Sequence, residues 1–161
     1  MLKVFTIVSI DNNTSKAGTR VLNTDFISEV KTINSTQARF KFNEQPDNRQ
    51  GRLNIYVVTA SRAEIVSAIN TSINADAITL SVYPDNDSAQ TPVATVFRAP
   101  EIVQCYPNTR SDRTKSWIEV NEKGAGLKKY LIAHYYVDVA DYVVTGSSTT
   151  TSTTSTSTTT T

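Results

Sequence analysis

From Gln37 to Asn43 the chain alternates without a break, with Ala38, Phe40 and Phe42 on one side and Arg39, Lys41 and Asn43 on the other. Successive side chains of a strand point to opposite faces, so this segment reads as a half-buried antiparallel strand. Short β-prone runs of this kind recur along the chain and end in clusters of Asn, Asp, Ser, Gly or Pro. That rhythm commits the chain to a mainly β fold built from short connections. Leu2–Ile10, Arg20–Asn23, Asp25–Ile33, Ala77–Tyr83 and Val93–Arg98 fit it, as do Glu101–Tyr106 and Ser116–Asn121. Leu53–Thr59 is almost continuously apolar and is expected to be a central strand buried on both faces. Leu127–Val137 is the most hydrophobic run and is expected to form the last strand, joined to its predecessor by a hairpin loop holding Gly124 and Gly126. Pro100 separates two strands and implies an edge or a bend there.

One segment changes period. Ser61 followed three residues later by Glu64 is a capping box, and Ile65, Ile69 and Ile73 then recur every fourth residue. The spacing predicts an amphipathic helix over residues 62–74 with its isoleucines on a sheet and Asn74 as its C-cap. The expected fold is therefore mainly β (α+β): an antiparallel sheet or sandwich of about nine strands with this one helix packed on it.

The chain has 161 residues, and residues 147–161 are all Ser or Thr. Such a run cannot supply a core, so residues 1–145 are expected to form one globular domain and 146–161 a C-terminal tail. Three roles compete for the tail: a solubilising extension, an O-glycosylated stalk, or an arm that adds a strand to a neighbour, with Thr149 and Thr153 among its contacts. Sixteen Lys and Arg against fifteen Asp and Glu give a net charge of +1. No overall field favours nucleic acid or an anionic membrane, and no sequence-specific nucleic-acid partner is expected. The first ten residues read as a strand rather than a signal peptide. Cys105 is the only cysteine, which excludes an intrachain disulfide and a cysteine-based zinc site.

Catalytic chemistry finds little purchase. His134 is the only histidine; it lies in a β-prone run, with no Gly-x-Ser-x-Gly elbow in the chain, and reads as a satisfied strand residue. Asp85-Asn86-Asp87 begins like a calcium loop but lacks the glycine and the glutamate that such a loop needs further on, so it reads as a polar turn. Neither a cofactor nor a metal is expected. Two groups of residues remain. Arg110, Arg113 and Lys115 form a small basic loop, either a contact for an acidic partner or simply solvated. Tyr135, Tyr136 and Tyr142 crowd the end of the domain, either as core or as interface. On a strand, Tyr135 and Tyr136 would point to opposite faces.

The stretch running through Asp25-Phe-Ile-Ser-Glu-Val, Ala38-Arg-Phe-Lys-Phe and Leu53-Asn-Ile-Tyr-Val-Val to the capped helix ending Ala68-Ile-Asn70 resembles small β-rich structural proteins of tailed bacteriophage virions. The resemblance covers about a third of the chain. It implies a non-enzymatic, head-associated accessory or decoration protein, oligomeric, assembled in the host cytoplasm and bound to capsid or other virion proteins. The alternative is a soluble cytoplasmic binding module that recognises a ligand or protein through loops 44–51, 84–92 and 107–115.

Overall fold

The structure, a computed structural model, describes residues 1–44, 53–71, 77–122 and 125–145. Ten strands form one antiparallel sheet. They are β1 (Leu2–Ile10), β2 (Gly18–Asn23), β3 (Ile27–Thr32), β4 (Ala38–Asn43), β5 (Leu53–Val58), β6 (Ala77–Val82), β7 (Val93–Arg98), β8 (Ile102–Pro107), β9 (Ser116–Glu122) and β10 (Gly126–Ile132). Their spatial order is β3-β4-β5-β1-β2-β8-β9-β10-β6-β7. Helix α1 spans Arg62–Ile69, and a second helix, α2, spans Tyr136–Thr145. The mainly β, antiparallel architecture with an amphipathic helix packed on it is what the periodicity indicates.

The sheet has a core on each face. One face buries Leu2, Val21, Cys105, Ile118 and Val120, joined by Leu80 and Phe97 from the β6–β7 hairpin and by Tyr136 and Val139 of α2. The other buries Phe5, Leu22, Phe40, Phe42 and Tyr56 with Ile65 of α1. Val21 and Leu22 are neighbours in sequence and serve opposite cores, as strand alternation requires. Phe40 and Tyr56 lie opposite each other across β4 and β5, with parallel rings 5.7 Å apart.

Several expectations are corrected. Leu53–Val58 is interior to the sheet yet covered on one face only: Asn54, Tyr56 and Val58 are buried, whereas Leu53 and Ile55 remain 51% and 40% exposed. An apolar run indicates strand propensity, and the cover on each face is set by distant elements. α1 ends at the C-cap Asn70, earlier than Asn74, because Thr71 turns back through its N–H to the Ala68 carbonyl (3.2 Å) and through Oγ1 to that of Ser67 (3.0 Å). Ile65 and Ala68 are buried and Ile69 is half-buried, while Ile73 lies outside the described residues. Both halves of the capping box are present at Ser61 and Glu64, and these bonds hold the Glu64 carboxyl below its ordinary range.

The largest departure is at residues 133–145. β10 stops at Ile132, the chain bends at Ala133 and His134, and α2 begins at Tyr136. Tyr136, Val139 and Ala140 are buried, the i, i+3, i+4 spacing of a helix face. Asp138 in the first turn suits the positive end of the helix dipole.

The β10–β6 junction is thin, with Ile132↔Val82 its only ladder pair. Polar side chains reinforce it. His134 Nε2 accepts from the Ser81 N–H at 2.9 Å, and Asn86 Oδ1 accepts from the Leu131 N–H at 2.8 Å. His134 thus does structural work beside the strand rather than within it, and burial lowers its pKa below the ordinary histidine value against a smaller opposing effect of Asp138. The Asp85–Asp87 segment is a turn whose Asn86 anchors it to β10 and whose Asp87 accepts the Ala89 N–H at 2.9 Å.

Candidate functional site

A concavity lies where β2 begins and β8 ends. Antiparallel pairing of Val21 with Cys105 places the first residues of β2 beside the last residues of β8. Beyond these ends the chain leaves the sheet in both directions, through a short turn before β2 and through the 108–115 loop after β8. The N-terminus of α2 closes the third side. A cleft of about 570 Å³ opens between them.

Its chemistry is uneven. Lys16 and Arg20 enter from the β2 side, and Arg110 and Arg113 from the loop after β8. Among the described residues Asp112 is the only acid in the lining, against four cations. Asp112 is, moreover, turned into its own loop. Its Oδ1 accepts from the Thr114 N–H (2.8 Å), the Thr114 hydroxyl (2.8 Å) and the Lys115 N–H (3.0 Å). Those bonds, the Thr114 N–H foremost, hold its carboxyl below the ordinary range. The carboxylate therefore shapes the loop that presents Arg110 and Arg113. Among the described residues none of the four cations forms an ion pair.

Tyrosines make the walls. Tyr135 and Tyr136 both line the cleft and touch edge-on, with ring centroids 4.7 Å apart. The helical start at Tyr136 is what brings them together, in place of the opposite faces expected of a strand. Burial raises the Tyr136 hydroxyl pKa, and the neighbouring Tyr135 hydroxyl adds to the effect. Tyr106 forms the third wall, with the Arg20 guanidinium 5.0 Å from its ring centre. Arg20 also donates to Gln104 Oε1 at 3.4 Å; Gln104 Nε2 donates to Glu119 at 2.6 Å, and the Tyr106 hydroxyl donates to the same carboxylate at 2.9 Å. This chain of bonds fixes Arg20 and Tyr106 from behind. Burial, then Glu119, raises the Tyr106 pKa, so its hydroxyl stays protonated and donating.

Of the residues singled out in sequence, Arg110, Arg113, Tyr135 and Tyr136 therefore meet in one cleft. Lys115 is not part of it; its ammonium sits 5.9 Å from the Tyr83 ring centre. The Tyr142 side chain, Thr149 and Thr153 lie outside the described residues. Of the loops expected to recognise a ligand, 107–115 borders the cleft, 84–92 is bonded to β10, and all of 44–51 beyond Glu44 lies outside the described residues. Lys16, Arg20 and Tyr106 were missed. They belong to segments some 90 residues apart in sequence, and only the β2–β8 pairing joins them.

Tyr106 also faces Lys129, whose ammonium is 5.2 Å from its ring and 4.2 Å from that of Trp117. Arg20, Tyr106, Lys129 and Trp117 thus make an alternating cation–aromatic ladder across β2, β8, β9 and β10. Cys105 is fully buried, and burial pushes its thiol pKa up, the reverse of a reactive thiol. Among the described residues no group of three or more His, Cys, Asp or Glu is placed to hold a metal, and no helix is long and apolar enough to cross a membrane.

Comparison with family models, with curated proteins and with solved structures gave no match to this chain.

Proposed function

We propose that this chain is a non-enzymatic assembly protein that docks an acidic segment of a protein partner in the cleft between β2, β8 and α2. The observation that carries this reading is the convergence of Lys16, Arg20, Arg110 and Arg113 on tyrosine walls, with the Asp112 carboxylate bonded into its own loop and that of Glu119 held behind Tyr106. Arginine and tyrosine are the residues that protein interfaces favour. A protein partner suits the site better than nucleic acid, because the net charge is only +1 and the one cation–aromatic row that leaves the cleft, from Arg20 to Lys129, passes a ring bonded to the Glu119 carboxylate. The groups with catalytic potential are committed elsewhere: His134 to the Ser81 N–H, and Cys105 to the core.

Within this reading the partner is a capsid or other virion protein and the chain is an accessory or decoration subunit; support for that setting comes from the resemblance of its strands and capped helix to phage structural proteins. The alternative, a cytoplasmic binding module, uses the same cleft for a different acidic partner. Binding in either setting depends on salt, since the charges are concentrated at the contact.

The test is co-sedimentation of the chain with intact particles or their purified shell protein, repeated with Arg110→Glu plus Arg113→Glu. Both arginines are exposed, so the variant is expected to melt like the wild type and to lose about tenfold or more in affinity. Unchanged binding by the double variant would remove the cleft from the function. Binding lost to particles but kept for an acidic peptide would favour the cytoplasmic module.

A further inference from the structure

We infer that the open edge of β7 pairs with the β7 of a second copy, joining two sheets across a twofold axis. The sheet has two edges, β3 and β7, and they are built differently. β3 is protected. Its pairing with β4 slips between Ser28 and Lys31, Glu29 sits at φ 54° in the slip, and its carboxylate pairs with Lys31 at 3.1 Å and with Lys41. A bulge and charges are the devices that keep an edge from pairing.

β7 has neither. It pairs with β6 in unbroken register from Ala77↔Arg98 to Val82↔Val93. Val93-Ala-Thr-Val-Phe97 contains no charge, glycine or proline. Val93 is 56% exposed and Val96 67% exposed. An uncharged, regular, β-branched run with no further strand beside it in the described sheet is a template for another strand.

Self-pairing follows from which faces the residues occupy. Phe97 is buried in the core, so Val93 and Thr95 share its face, and Ala94 and Val96 lie on the other. A twofold axis normal to the sheet keeps each face continuous, which requires odd-numbered residues to oppose odd-numbered ones. Centring the axis on Thr95 sets Val96 against the partner's Ala94 and Val93 against the partner's Phe97. Both exposed valines then gain an apolar neighbour. Arg98 falls near the far end of the pairing, where Glu101 already holds it at 3.6 Å, so the two arginines do not meet. A six-residue edge buries much less than the ~800 Å² per partner of an ordinary stable complex, so association in free solution is weak, roughly tens to hundreds of micromolar. This inference stands apart from the basic cleft, which involves neither β6 nor β7.

The test uses the full chain. Thr95→Cys places its two thiols across the axis, where Cα atoms of opposed residues lie about 4.5–5.5 Å apart, within disulfide range. Mild oxidation is expected to give a cross-linked dimer on a non-reducing gel. Val93→Cys, although more exposed, is four positions out of register with itself and is expected to remain monomeric. Native Cys105 is fully buried and does not compete. Val96→Lys is expected to weaken self-association in sedimentation equilibrium by about tenfold or more, with an unchanged thermal melt. Cross-linking of Thr95→Cys no faster than of Val93→Cys, or a wild-type chain that stays monomeric at millimolar concentration, would overturn the inference. So would loss of self-association on truncation after Thr145, since the Ser/Thr tail would then be the strand that occupies the edge.

Discussion

Replacing Ile65 by alanine tests the α1 side of the fold, and the structure sets the size of the effect. Ile65 is fully buried in the cluster that holds Phe5, Phe40 and Tyr56. The substitution removes three carbon atoms, worth about 2.4 kcal/mol at ~0.8 kcal/mol per buried methylene. The cavity left behind adds about 0.5–1.5 kcal/mol if the surrounding rings relax only in part, since aromatic walls shared with β1, β4 and β5 cannot collapse freely. The expected loss is about 3–4 kcal/mol. Ile69→Ala supplies the contrast: it is half-buried, so roughly half the transfer contribution applies and no closed cavity forms, giving about 1–1.5 kcal/mol. Equilibrium urea unfolding followed by circular dichroism reads both. With a slope of about 2 kcal/mol/M, the Ile65→Ala midpoint falls by roughly 1.5–2 M and the Ile69→Ala midpoint by roughly 0.5–0.7 M. Equal losses at the two positions, or a loss under about 1 kcal/mol at Ile65, would mean that α1 does not sit on the sheet as described.

Other expectations can be checked in the same way. Ser61→Ala removes the hydroxyl that accepts the Glu64 N–H, leaving only the Ser61 N–H bond to the Glu64 carboxylate, and should cost about 1 kcal/mol in the same urea melts. The folded-state pKa of His134 is lowered, so the unfolded chain binds the proton more readily. Stability is therefore intact above the ordinary histidine pKa of 6.5, begins to fall as pH drops through it, and levels off below the folded value. The urea midpoint should decline from pH 7 to pH 5, and His134→Gln should flatten that decline, because the chain has no other histidine. Truncation after Thr145 should leave the melting temperature unchanged, since a Ser/Thr run brings no apolar surface to the cores.

Most strands were legible because each is a short period-two run closed by turn-forming residues, and β1, β4 and β7 fall within a residue of where the pattern puts them. What failed was what depends on distant residues. The two-sided burial expected for β5 fails at Leu53 and Ile55, because no element among the described residues buries them on that face of the sheet. α2 was hidden by its composition: Tyr, Val and Asp have no strong helical propensity, and the preceding Tyr130–Ile132 is a true strand. The helical spacing of Tyr136, Val139 and Ala140 was present but weaker than the β-branched signal. The site follows the same rule. Arg110 and Arg113 stand out as a basic loop and the tyrosines as a cluster, each by local composition. Their meeting with Lys16 and Arg20 depends on β2 pairing with β8 across about 80 residues of chain, which no local pattern encodes.

That pairing also explains why a charged cleft can exist here without cost to the fold. β2 and β8 carry both cores at once, with Val21 and Cys105 on one face and Leu22 and Val103 on the other, all fully buried. The seam between them is therefore held from both sides up to the point where the sheet ends. The cleft opens at that point, so its base is anchored: Tyr136 is buried against one core, and Tyr106 is fixed through Glu119. Three of its four cations sit on the rim instead, where Lys16, Arg110 and Arg113 are exposed. Water solvates uncompensated charges on an exposed rim, so they do not penalise folding, whereas the same charges at the base would. An anionic partner that displaces that water gains the charge attraction and covers the tyrosines together. Substitutions at the rim should then change binding and leave stability alone, while Tyr136→Ala should lower both.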